Sequence, residues 1–357
     1  MSSHDIDPSL LAYETARQHH AKEQWSLAID GDEQALKDRP AFSEALFGLA
    51  TCHQARGNMA EARRSFERAI ALAPNDNDLL LAMAGFFEEL GEIEQADQIS
   101  RRLVVLAPES PEANQNLGLL LSKRGAHQEA LKFLRRGFES SPRSSDLRAN
   151  LAIGLARAGL TTESTKLLKE GLLLTPGSAD LLGNLGVLAA ERQDWDEAIS
   201  LYDQALRTDP SQLRLLLNRA EIFRWLGRLD EARIDYENYL SARPSDLEAL
   251  LGLARASEAA GLFGNAVAAF ERAHIVKGDP AIRGEMAYSL VQLGQTDEGL
   301  RLARGLLVPQ DAWSHFHLAR ALGAADRLDE AAEACKMAVR LAPDEPAFAE
   351  LLAGLGG

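Results

Sequence analysis

Residues 43–75 read SEALFGLATCHQARGNMAEARRSFERAIALAPN. Apolar residues recur in this stretch at three- and four-residue spacing on both sides of a glycine, the pattern of two amphipathic helices joined by a tight turn. Gly57 stands where the first helix ends and the chain reverses, a position that favours a positive φ. Pro74 closes the stretch, because proline cannot continue a helix. The segment therefore spells helix, turn, helix, turn.

It is one of a series. Pro40, Pro74, Pro108, Pro142, Pro176, Pro210 and Pro244 are 34 residues apart, and Pro309 and Pro343 resume the interval. The turn glycine keeps step at Gly57, Gly91, Gly125, Gly159, Gly227, Gly261 and Gly294. Two further phases carry small residues. On the first helices they are Ala16, Ala50, Ala84, Gly118, Ala152, Gly186, Ala220, Ala254, Ala287 and Ala319. On the second helices they are Ala28, Ala62, Ala96, Ala130, Ser164, Ala198, Ala232, Ala266, Gly299 and Ala331. Small side chains at facing positions allow two helices to approach closely, and a large residue there costs about 1–3 kcal/mol through overpacking.

A 34-residue unit with these four markers resembles the tetratricopeptide repeat, and residues 43–75 carry its pattern at Leu49, Ala50, Ala62, Phe66, Ala69 and Pro74. Ten such units run over residues 9–343, the ninth shortened. The resemblance implies an all-α fold, an α-solenoid of about ten helix-turn-helix repeats wound into a right-handed superhelix. Three places depart from the pattern. Asp32 stands where an aromatic is usual and Ser164 where alanine is usual, and GLLVPQD at 305–311 closes the ninth unit early. The superhelix is expected to be disturbed between residues 278 and 311. Residues 1–8 read as an N-terminal tail. Residues 344–357 read as a capping helix, with Phe348, Leu351 and Leu352 on the last apolar face, or as the start of a truncated region.

Composition narrows the function. The chain is 46% hydrophobic and 25% charged, as in folded proteins, and only 6% aromatic. A formal net charge of −15 disfavours nucleic acid and anionic membrane surfaces, both of which bind through lysine and arginine. There is no basic leader followed by an apolar run and no apolar stretch long enough to span a bilayer, so a cytoplasmic location is expected. Cys52 and Cys335 lie near opposite ends of the chain and read as reduced packing residues.

No phosphate-binding glycine loop, H-E-x-x-H, C-x-x-C or G-x-S-x-G occurs. His315 and His317 lie two apart on one helix, His315 on the packing phase and His317 on the ligand-facing phase, and therefore read as no metal pair. The acids at the second position of the units, such as Glu44, Asp78 and Glu112, suit the positive end of a helix dipole. No enzyme activity, metal or cofactor is expected. Trp25 and Trp195 open second helices and read as packing residues; Trp225 and Trp313 fall on first-helix phases that face a groove or its rim.

A weak helix former marks one phase of the first helix four times running. Asn116, Asn150, Asn184 and Asn218 are 34 residues apart. In stacked repeats this phase faces the concave surface, where an amide can meet both the N–H and the C=O of an extended peptide. The row resembles the asparagine ladder in the repeat arrays of O-linked N-acetylglucosamine transferases. Neighbouring phases carry Lys123, Arg157, Arg224, Arg255 and Arg320, which favour a partly acidic segment. No lysine precedes the asparagine phase, so the carboxylate clamp used by some members of the family is absent.

The expected function is a protein-interaction scaffold that holds an extended peptide or partner segment in its groove. Alternatives are the substrate-recruiting repeat domain of a larger glycosyltransferase or sulfotransferase, and a structural protein that forms a homo-oligomer through its end units.

Overall fold

The computed structural model describes residues 7–355, so most of the 1–8 tail lies outside the described residues. Among these residues every regular element is an α-helix. The chain divides into two compact units, Met1–Pro176 and Gly177–Gly357.

In the first unit the helices are α1 (Pro8–His20), α2 (Trp25–Asp38), α3 (Ser43–Ala55), α4 (Met59–Leu72), α5 (Asn77–Glu89), α6 (Ile93–Leu106), α7 (Pro111–Lys123), α8 (His127–Ser140), α9 (Ser145–Arg157) and α10 (Thr161–Leu174). In the second they are α11 (Ala179–Glu191), α12 (Trp195–Thr208), α13 (Leu213–Trp225), α14 (Leu229–Ala242), α15 (Leu247–Ala259), α16 (Phe263–Val276), α17 (Pro280–Gln292), α18 (Thr296–Gly305), α19 (Ala312–Ala324), α20 (Leu328–Leu341) and α21 (Pro346–Gly354). Odd and even helices pair as antiparallel hairpins, and each even helix packs on the next odd one within its unit, giving the all-α solenoid.

The small-residue phases are the seams of this stack. Ala28, Ala62, Ala96, Ala130, Ala198, Ala232, Ala266 and Ala331 are all fully buried. Gly118 and Gly186 depart from alanine for a steric reason. A Cβ on Gly118 would lie 2.7 Å from Leu134 Cγ, and one on Gly186 2.5 Å from the Tyr202 ring. Ser164 keeps its place in the seam because its hydroxyl donates to the Ala152 carbonyl at 2.7 Å, leaving no buried polar atom unpaired.

Local chemistry fixes the hairpins. Asp76, Ser110, Ser144, Ser178 and Asp246 each follow a repeat proline by two residues, and each accepts the backbone N–H three residues on at 2.9–3.4 Å. These N-caps satisfy donors that the helix itself cannot. The seven turn glycines take φ between 71° and 89°. In the remaining three hairpins the same turn is made by Glu23, Gln193 and Asp326 with φ of 55°, 61° and 59°. Geometry at this place is thus constant while the residue is not.

The ninth pair departs as its sequence implies: α18 has 10 residues where the other second helices have 14. At the C-terminal end Phe348 of α21 is fully buried, and Leu351, Leu352 and Leu355 pack on the cluster around Leu318, Leu322 and Ala331. Cys52 and Cys335 are buried free thiols.

Candidate functional site: the first-helix faces

All four asparagines are half-buried on first helices: Asn116 on α7 and Asn150 on α9 in the first unit, Asn184 on α11 and Asn218 on α13 in the second. They are not freely solvated. The Ser100 hydroxyl of α6 lies 2.7 Å from Asn116 Oδ1, so one edge of that amide is engaged within the fold. The Tyr202 phenol of α12 is pushed up to about 12 by burial, with a hydrogen bond to Asn218 opposing the rise. Both contacts reach back sixteen residues to the second helix of the preceding pair.

The contrast with Asn114, two residues earlier in α7, is instructive. Asn114 is buried, and its amide nitrogen donates to the carbonyls of Pro108 and Ser110 at 2.7 and 2.8 Å. Arg148 occupies the same phase one repeat on and donates to the Pro142 carbonyl at 2.8 Å. These two side chains brace the loop between pairs. Their role is legible only from the loop carbonyls they meet, and the sequence reading does not single them out.

The five cations fall into two groups. Arg157 on α9 has an uncharged partner, donating from Nη1 to the Ser122 hydroxyl at 3.2 Å. The other four carry carboxylate partners. Lys123 pairs with Glu88 of α5. Arg224 pairs with Glu221 at 2.8 Å, and the Tyr236 hydroxyl donates to the same carboxylate. Burial pulls Glu221 upward, but its bonds from Arg224 and Tyr236 prevail and hold it below the usual carboxylate range. Arg255 grips Glu285 of α17 with two bonds of 2.8 Å. Arg320 of α19 reaches Glu258 of α15 at 2.6 Å, passing over the Tyr288 ring of α17 at 4.4 Å from its centroid. Ser289 donates to the second oxygen of Glu258 at 2.6 Å. The face of α13, α15, α17 and α19 is therefore charge-balanced, which alters the expectation of a basic groove favouring an acidic segment: most of the positive charge is already neutralised.

Trp225 is 76% exposed at the end of α13. Trp313 is half-exposed and packs on Phe316 and Phe348, with ring centroids 5.5 and 4.9 Å away. His317 is a correction: expected on the ligand-facing phase, it is 8% exposed, and its Nδ1 has no partner. The cause is Gly284 on α17, which leaves room for the ring, since a Cβ there would lie 2.7 Å from His317 Cδ2. Burial pushes the imidazole down to about 4. His315 is buried as well, and no group of three or more His, Cys, Asp or Glu side chains able to hold a metal ion exists among the described residues. Where α18 stops short, a cleft of about 310 Å³ opens, lined by Pro280, Gly284, Leu306, Trp313 and His317.

In the first unit, Asp32 sits at the phase filled by Phe66 one repeat on. It is 2% exposed, its Oδ1 has no hydrogen-bond partner, and burial pushes its carboxyl up to about 7. Gly48 makes room for it; a Cβ on that glycine would lie 2.7 Å from Asp32 Oδ2. No helix of the described residues is long and apolar enough to cross a membrane.

A family model described as tetratricopeptide repeat matches residues 149–212, 184–244, 217–280 and 285–346, and a second model of the same description matches residues 43–76. No curated protein matches the chain in sequence. Among solved structures, PilF of Pseudomonas aeruginosa is similar at 19% identity and a TM-score of 0.50, covering 69% of this chain and 98% of that one. PilW, a widely conserved type IV pilus biogenesis factor, is similar at 20% identity and a TM-score of 0.52, covering 57% and 95%. At these identities the likeness is one of fold.

Proposed function

This chain belongs to the tetratricopeptide repeat family, and from that premise we propose that it is a binding scaffold, not a catalyst, whose first-helix faces hold an extended segment of a partner protein in the cytoplasm. The observation that carries the reading is the half-buried asparagines at one phase, on α7 and α9 in the first unit and on α11 and α13 in the second. A side chain serving only to fold the repeat would be spent inside it, as Asn114 is. Asn116 uses the oxygen of its amide internally, and in this reading the amide nitrogen meets the ligand. The pattern is similar to that of the glycosyltransferase repeat arrays named above, and it suits contacts to peptide backbone, which read extension and not side-chain identity. Arg157 adds a cation beside the asparagines without a carboxylate to neutralise it. The charge balance around Arg224, Arg255 and Arg320 supports a segment that is not strongly acidic.

Display of random peptides against the purified chain, followed by titration of the enriched sequences, tests this. Neutral hydrogen bonds contribute about 0.5–1.5 kcal/mol each, so changing the four asparagines to alanine together is expected to weaken binding by about two orders of magnitude or more. Equal affinity for the wild type and the quadruple variant would overturn the reading.

A further inference from the structure

The ninth pair lacks a side chain that most pairs carry. Four residues after the small residue of the second helix stand Phe66, Leu134, Leu168, Tyr202, Tyr236 and Phe270, all large and buried. Asp32, Ser100 and Cys335 hold this phase in three other pairs, and the last two bond onward, to Asn116 and to the Phe348 carbonyl. In the ninth pair the residue is Ala303, which offers a single methyl group. The cleft of about 310 Å³ beside Pro280, Gly284, Leu306 and Trp313 opens at it.

This phase meets a fixed neighbour, the residue two before the small residue of the following first helix. The Ser100 hydroxyl lies 2.7 Å from Asn116 Oδ1, and Tyr202 is hydrogen-bonded with Asn218. At Gly252, which has no side chain to offer, a Cβ would lie 2.8 Å from the Tyr236 hydroxyl oxygen. In the ninth and tenth pairs the two positions are Ala303 and His317, and both line the cleft. His317 is 8% exposed and its Nδ1 has no hydrogen-bond partner. A ring nitrogen of a neutral imidazole accepts from an O–H or donates to its oxygen, according to the tautomer. One half of the contact made by Tyr202 and Asn218 is therefore present at this place, and the half made of ring and hydroxyl is not.

We propose that the cleft receives a tyrosine side chain of the partner segment, its ring in the space that Ala303 leaves and its hydroxyl on His317. Trp313, half-exposed, offers the incoming ring an aromatic wall. Phenylalanine would fill the same space but leave the imidazole nitrogen without a partner, which is costly in a buried place. Asp311 also lines the cleft, its carboxylate held by the N–H groups of Trp313 and Ser314 at 3.3 and 2.9 Å, and it repels an anionic ring such as phosphotyrosine. The inference rests on the scaffold reading for its partner, but not on the asparagines.

Titration of the full chain with N-acetyl-tyrosinamide and with N-acetyl-phenylalaninamide, followed by the His317 imidazole and Trp313 indole resonances in NMR spectra, tests the proposal. The tyrosine amide is expected to bind at about millimolar concentration, and about three- to tenfold more tightly than the phenylalanine amide. Ala303→Phe fills the space with the residue that Phe66 and Phe270 supply in their own pairs, and is expected to abolish binding of both amides while helical circular dichroism is kept. His317→Leu is expected to keep the site and bring the tyrosine amide down to the level of the phenylalanine amide. A wild type that binds neither amide overturns the proposal, as do equal affinities for the two, a folded Ala303→Phe chain that binds like the wild type, or a His317→Leu chain that still prefers tyrosine. The variant with all four asparagines changed to alanine is expected to bind the tyrosine amide as the wild type does, so failure of the peptide reading is seen separately. Loss of the amide in that variant would place the ring among the asparagines and overturn the proposal.

Discussion

The two units use one lattice of small residues but hold their polar groups differently. In Met1–Pro176 the polar side chains at packing phases are mostly neutral and locally paired: Ser164 on a carbonyl, Ser100 on Asn116, Asn114 on the loop before α7. Asp32 differs in being a carboxylate, and its Oδ1, like that of Asn114, is buried without a hydrogen-bond partner. In Gly177–Gly357 the same kinds of position carry ion pairs. Asp235, buried on α14, receives two bonds of 2.7 Å from Arg219, and Glu258 and Glu285 are held by arginines of other helices. A repeat fold therefore constrains volume and backbone tightly, while leaving each unit free to choose how its buried polarity is satisfied.

The largest test of this contrast is Arg219→Met. It leaves Asp235 charged, buried and alone, and is expected to destabilise the second unit by about 3–5 kcal/mol in denaturant unfolding. Arg157→Met in the first unit, whose partner is a hydroxyl, is expected to change stability by less than about 0.5 kcal/mol. Comparable losses for both would remove the distinction between the units.

Next comes pH. Asp32 has its folded value raised from 3.8 to about 7, so its contribution is fully present below pH 3.8 and lost as pH rises through 7. His317 has its folded value lowered from 6.5 to about 4, so its contribution is present above pH 6.5 and lost as pH falls toward 4. Melting followed from pH 8 to pH 5 is expected to show Asp32→Asn flattening the alkaline loss and His317→Phe flattening the acid one, each pH unit between the two values weighing up to about 1.4 kcal/mol. A wild-type profile unchanged by Asp32→Asn would mean that the carboxyl is solvated after all.

A smaller gain is expected from Gln193→Gly. Non-glycine residues in the left-handed region are strained, and relieving this turn is expected to raise stability by about 1 kcal/mol, with no effect on binding. Smallest of all, Asn184→Ala is expected to shift stability by no more than about 0.5 kcal/mol, alanine being the better helix former. A clear drop in melting temperature would make that asparagine structural, like Asn114.

The fold was readable because repetition turns one ambiguous segment into ten concordant ones. Pro74 alone marks a stop; seven prolines at one interval mark an architecture. The site was less readable, because phase on a helix does not state what the neighbouring helix offers. His317 shows this most plainly: its phase reads as ligand-facing in the sequence, but Gly284 on the adjacent helix opens a space that buries it. Likewise Lys123 and Arg255 read as free cations until Glu88 and Glu285, 35 and 30 residues away, are seen beside them. The turns at Glu23, Gln193 and Asp326 carry no glycine to announce a positive φ, and only the flanking geometry reveals it.

Within each unit the helices touch those one or two places away in sequence. A chain wired this way closes short loops at every step, which is the condition for fast folding. Each hairpin can settle on the one before it as synthesis proceeds, without waiting for distant segments. The bond from Arg320 to Glu258 reaches across a whole intervening pair and so belongs to the latest stage. It acts as a clasp, closed once α15, α17 and α19 are all in place, and its loss should show first in how quickly that end of the protein comes apart.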